Sequence, residues 1–124
     1  MKSLLAVALG GALGSALRWW LSGLVQHWSG SAFPWGTFAV NALGSLAIGF
    51  IAALAFERAL VPPVARLFVI VGVLGGFTTF SAYSYETVSL LRDGQWLAAA
   101  GYAGGSVVAG LAGALAGLAL GLAL

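Results

Sequence analysis

The sequence predicts an all-α membrane protein of four transmembrane helices in one domain, and three observations predict it. Charged residues fill only 6% of the 124 positions while hydrophobic ones fill 61%, where a soluble domain is about a quarter charged. The apolar residues run on in stretches of about 20, enough at the helical rise to cross a hydrocarbon core of about 30 Å. Those stretches are divided by a few breaks: a polar loop, a proline pair and an Arg-Asp-Gly turn. The composition also excludes several functions. With no cysteine there are no disulfides, thiolate metal sites or cysteine nucleophiles. A formal charge of +2 is too small and too scattered for a nucleic-acid partner.

The first span covers about residues 3–25. Lys2 followed by the run from Leu4 to Leu17 has the outline of a secretory leader. The hydrophobic run continues through Arg18, Trp19 and Trp20 to about Val25, and three more spans follow, so a retained helix is expected. A polar loop at 26–34 is expected next, with His27 a solvated loop residue. The second span covers 35–56 and stops at Glu57-Arg58. Pro62-Pro63 marks the following loop, because neither proline continues a helix from before it. The third span covers 64–91, ended by Arg92-Asp93-Gly94, and the fourth covers 95–123. All five tryptophans are expected near helix ends, at headgroup level.

Glycines four apart, Gly10 and Gly14 in the first span and Gly101, Gly105, Gly113, Gly117 and Gly121 in the fourth, are expected to pack helices closely. In lipid no hydrophobic effect drives that association. The basic residues divide almost evenly, with Lys2, Arg58 and Arg66 toward the N-terminal side and Arg18 and Arg92 toward the other. This fits a small conventional bias under the positive-inside rule, and equally a chain that inserts both ways. Four short spans are thin for an enclosed pathway, so a homodimer is expected.

Polar residues inside spans need partners or a watery path. Thr37, Asn41 and Ser45 lie four apart on one face of the second helix with Gly44 beside them. Interhelical hydrogen bonding explains a hydroxyl stripe, but the amide of Asn41 brings two donors that packing does not require. In the third span, Gly75-Gly76-Phe77-Thr78-Thr79-Phe80-Ser81 is a poor choice for uninterrupted helix. It predicts either a local unwinding with carbonyls open to a hard cation or a glycine-mediated crossing. Beyond it Phe80, Tyr83 and Glu86 follow three apart, so their side chains share a face. Aromatic ring edges carry partial positive charge. In the fourth span Tyr102 and Ser106 are four apart.

Over essentially its whole length the chain resembles the CrcB/Fluc family of fluoride channels. The resemblance rests on Gly10-Gly11-Ala12-Leu13-Gly14-Ser15-Ala16-Leu17-Arg18 and on Gly36-Thr37-Phe38-Ala39-Val40-Asn41-Ala42-Leu43-Gly44. It rests most on Gly75-Gly76-Phe77-Thr78-Thr79-Phe80-Ser81 with Ser84 and Glu86 beyond. It implies a dual-topology, antiparallel homodimer in the inner (plasma) membrane, crossed several times by each chain, that exports fluoride passively and so relieves its toxicity. It implies a third helix broken near its centre, with the carbonyls of Gly75 and Thr78 holding a central structural sodium ion. It implies Asn41, Phe80, Ser81, Tyr83, Tyr102 and Ser106 along the anion path, and matches Arg18 and Glu86 to charged positions of the family. Two departures stand out. Tyr83 replaces the usual phenylalanine, and the fourth helix lacks hydroxyls after Ser106, with Gly110 and Ala114 one and two turns on.

No nucleophile and base fall into a catalytic arrangement, so the chain is not expected to be an enzyme. Fluoride is small and tightly hydrated, and a conduit for it replaces water with N–H and O–H donors. The rival class is a small proton-coupled multidrug-type exporter, which needs a titratable carboxylate in its core. Of the acidic residues, Glu57 and Asp93 are at span ends and only Glu86 lies within one.

Overall fold

A computed structural model describes the whole chain, Met1–Leu124. Four spans, Lys2–Ser29, Trp35–Glu57, Pro63–Arg92 and Trp96–Ala123, are each long and apolar enough to cross a membrane. The first is one helix, α1 (Lys2–Ser29); the second is α2 (Trp35–Ala52) running into a π-helical turn, π1 (Ala53–Glu57). The third comprises α3 (Pro63–Arg66), π2 (Leu67–Leu74), α4 (Gly75–Phe77) and α5 (Phe80–Arg92), and the fourth is α6 (Trp96–Ala123). Only 16 residues are buried within the chain, so most apolar side chains face outward, toward lipid or another protein surface.

The ends differ from the sequence expectation in ways with local causes. Residues 26–29, expected in a loop, continue α1, which ends at Gly30 in the left-handed conformation (φ 58°, ψ 21°). No residue between Val25 and Ser29 breaks a helix, and Gly30 adopts that cap without strain. His27 is therefore on the last helical turn, while Trp19 and Trp20 lie about 15 Å before the end of α1 rather than near it. Gln26 on this turn binds the loop that follows. Its Nε2 donates to the Ser31 and Phe33 carbonyls (2.8 and 3.0 Å), and its Oε1 accepts from the Gly36 N–H (3.0 Å). The third span opens at Pro63, one residue earlier than expected, because proline suits a first helical position whose N–H has no partner.

Glycine sets how closely the spans approach. A Cβ on Gly72 would lie 2.8 Å from the Gly10 Cα, so α1 and π2 touch backbone to backbone. On the α2–α6 seam, a side chain at Gly117 would meet the Leu46 carbonyl and one at Gly49 the Ala114 carbonyl. Gly101 and Gly105 pack against nothing within the chain: no atom lies within 4 Å of where their side chains would start. A small apolar core of Leu90, Ala99 and Tyr102, flanked by Phe33, Phe38 and Tyr83, joins α5 to α6 at one end of the bundle.

Candidate functional site

Between α4 and α5 two residues are extended: Thr78 (φ −89°, ψ 157°) and Thr79 (φ −149°, ψ 116°). The glycines just before them remain helical, Gly75 with φ −62° and ψ −38° and Gly76 within α4. The chain can turn here because side chains from other spans take over backbone groups. Asn41 of α2 pairs with Thr79 in both directions, its Oδ1 accepting from the Thr79 N–H (2.8 Å) and its Nδ2 donating to the Thr79 carbonyl (3.0 Å). Arg18 of α1 donates from Nε to the Gly76 carbonyl (2.9 Å). Thr79 then starts α5 as its N-cap, its Oγ1 accepting from the Ala82 N–H (3.1 Å). The methyl of Thr78 occupies the space that a side chain at Gly44 would fill.

The carbonyls of Gly75 and Thr78 are among those that lose their helical donors in this arrangement. The Thr79 N–H, which an unbroken helix would aim at the Gly75 carbonyl, goes to Asn41. The Ala82 N–H, due to the Thr78 carbonyl, goes to Thr79 Oγ1. Gly75 is also exposed, with nothing in the chain nearer than 3.8 Å to a Cβ placed on it.

A cavity of about 350 Å³ lies against this step. It brings together six of the residues singled out by sequence: Asn41, Gly75, Thr78, Phe80, Tyr83 and Ser106. The Phe80 ring is 79% exposed and stands 5.6 Å, centroid to centroid, from Tyr83. Tyr83 stands 5.5 Å from Tyr102. Tyr102 is fully buried behind this row, and neither its hydroxyl nor the Ser106 Oγ has a hydrogen-bond partner.

The remaining sequence candidates are elsewhere. Ser81 points outward and approaches only Thr79 (Oγ to Oγ1, 3.3 Å). Glu86 lines a separate, wider cleft of about 720 Å³ with Thr37, His27 and Asp93, and its Oε1 accepts from the Thr37 hydroxyl at 2.7 Å. Arg18 meets the third span from behind, at Gly76. The phenol of Tyr83 donates to the Ala103 carbonyl of α6 (3.0 Å). Sequence reasoning left Gln26 without a task and Thr37 outside the site. The four-residue spacing from Thr37 to Asn41 was the available signal for Thr37, and nothing marked Gln26.

A family model described as CrcB-like protein, Camphor Resistance (CrcB), matches residues 5–118. The chain is 56% identical over 124 residues to a protein of Thermus thermophilus, covering 100% of this chain and 98% of the relative. It is 55% identical over 113 residues to one of Opitutus terrae, covering 90% and 83%. A third relative, from Aquifex aeolicus, is 50% identical over 111 residues, covering 90% of each. Each of these relatives is named a fluoride-specific ion channel FluC.

Proposed function

The chain belongs to the CrcB-like family, and from that premise we propose that it is a fluoride-selective channel through which the ion crosses the membrane passively. It is a multi-pass membrane protein related to channels rather than to enzymes. The observation that carries the reading is the unpartnered hydroxyl of Ser106 on the wall of the 350 Å³ cavity, inside a membrane-spanning bundle. An orphaned buried hydroxyl costs about 1–3 kcal/mol, and a small anion in the adjoining cavity removes that cost. Asn41 supports it: with Nδ2 giving one proton to Thr79, the amide keeps a second N–H for a ligand. The edge of Phe80, on the same cavity, adds a weakly positive wall. Fluoride efflux from liposomes holding the purified protein, with chloride as control, tests the reading. Fluoride movement at channel rates and no chloride movement is expected; equal rates for both ions would overturn it.

Sodium belongs to the same proposal. The carbonyls of Gly75 and Thr78, without helical donors, suit a hard cation that takes oxygen ligands. When bound, such an ion supplies positive charge that offsets the cost of an anion in a medium of low dielectric. The wider assembly we propose is an antiparallel homodimer. Gly75 and Phe80 face outward beside the step, and Gly101, Gly104 and Gly105 meet nothing in their own chain. The near-even division of basic residues favours insertion in both directions. Labelling of Ser29→Cys, at the exposed end of α1, should find that residue on both faces of the membrane. Labelling from one face alone would rule out dual topology.

A further inference from the structure

Ser45 belongs to the polar stripe of α2, yet it does a different job from its neighbours. Thr37 and Asn41 spend their polar groups on the third span, at Glu86 and Thr79. Ser45 makes no such tie and lines the 350 Å³ cavity with Asn41 and Ser106. Across from it on α6, the face that carries Tyr102 and Ser106 continues at the same four-residue spacing to Gly110, which has no side chain to offer. A Cβ on Gly110 would lie 3.5 Å from the Ser45 Oγ, its nearest neighbour. Gly110 lines the cavity too. The absence of a side chain on α6 therefore leaves the Ser45 hydroxyl in the space where the next hydroxyl of α6 would sit.

We propose that Ser45 is a further anion-binding residue, the donor that follows Ser106 along the path, so that the row of hydroxyls crosses from α6 to α2 at Gly110. The inference rests on the fluoride-channel reading and deepens it. A serine hydroxyl turns freely, so the Ser45 O–H swings toward an ion in the cavity without moving the backbone. The 3.5 Å separation is ordinary van der Waals contact, so a serine at 110 fits beside residue 45.

The spacing gives a reciprocal test. Ser45→Ala is expected to slow fluoride efflux about tenfold, the loss of one hydrogen bond to a charged partner, with chloride still excluded and the melting temperature unchanged. Adding Gly110→Ser to Ser45→Ala returns a hydroxyl to the same space from the other helix, and should recover most of the lost rate. A merely structural role for Ser45 predicts no rescue from a residue on α6. Parent-like efflux from Ser45→Ala, or a slowed Ser45→Ala that Gly110→Ser does not restore, overturns the inference while leaving the channel reading intact. A parent protein that passes no fluoride overturns both.

Discussion

The polar residues of α2 and those of α6 face each other across one bundle and meet opposite fates. On α2, Thr37 and Asn41 are bonded to the third span by three hydrogen bonds of 2.7 to 3.0 Å. On α6, the Ser106 hydroxyl is bonded to nothing. In a lipid solvent the two cases have different meanings. A polar group that is satisfied holds helices in register, whereas one left unsatisfied at depth is a standing cost that packing alone does not explain. Asn41 stands in both groups, since it fixes the step at Thr79 and still has one N–H to give.

The largest effect should come from breaking that double role. In Asn41→Asp the carboxylate faces the Thr79 carbonyl where an N–H stood, and the cavity receives a negative charge. Efflux is expected to fall about a hundredfold or more, and stability by roughly 3 kcal/mol, the scale of an unpaired buried charge. Liposome flux together with a denaturation midpoint would measure both. Loss of flux at parental stability would mean that Asn41 serves the ion alone.

Ser106→Ala sharpens the contrast from the α6 side. Removing a hydroxyl that has no partner should leave the protein as stable or slightly more so, while efflux falls about tenfold. Stability and flux falling together would show that Ser106 is part of the framework after all.

Tyr83 lies between the two helices and tests their boundary more gently. The sequence marked its phenol as a departure from the usual phenylalanine on the implied anion path. The structure aims it at the Ala103 carbonyl. Tyr83→Phe keeps the ring edge and gives up one neutral hydrogen bond, so efflux at least as fast as the parent is expected, with a stability loss of about 1 kcal/mol. Tyr83→Ile should conduct more slowly than Tyr83→Phe at matched reconstitution density. Equal rates would make the ring a packing element only.

The smallest change is expected at Thr78. If its carbonyl holds the cation, Thr78→Ser should alter efflux less than about twofold, since the carbonyl and the hydroxyl bonded to Leu74 both remain. Gly75→Val, at an exposed residue with open space around it, should instead disturb whatever packs there. Size-exclusion chromatography and a high-resolution map checked for central ion density would separate the two cases.

The four spans were legible because hydrophobicity accumulates over twenty residues and three short breaks divide it. Of the residues lining the cavity, Asn41 and Ser106 drew notice as polar groups within spans, whereas Phe80 and Tyr83 were singled out mainly by the family resemblance. What stayed hidden was partner choice. Arg18 reaches Gly76 across 58 residues and Asn41 reaches Thr79 across 38, and no local pattern encodes such distances. The position of the extended residues was hidden for the same reason. Glycines and threonines alike marked the stretch, but only the structure shows that the glycines stay helical and the threonines extend, where Asn41 and Arg18 receive the freed groups. Gly101 and Gly105 share the spacing of Gly117 and Gly121, and only the structure separates glycines that touch a neighbouring helix from those that do not.

The step at Thr78 and Thr79 also bears on how the chain assembles. Its backbone groups are satisfied by side chains of α1 and α2, which leave the ribosome first, and alone in lipid the third span would have no such donors or acceptors. A lone span keeps every internal hydrogen bond by remaining a continuous helix. The third span should therefore enter the bilayer as one rod and open only on docking against its two elders, so that the conducting shape is a product of helix association rather than of insertion.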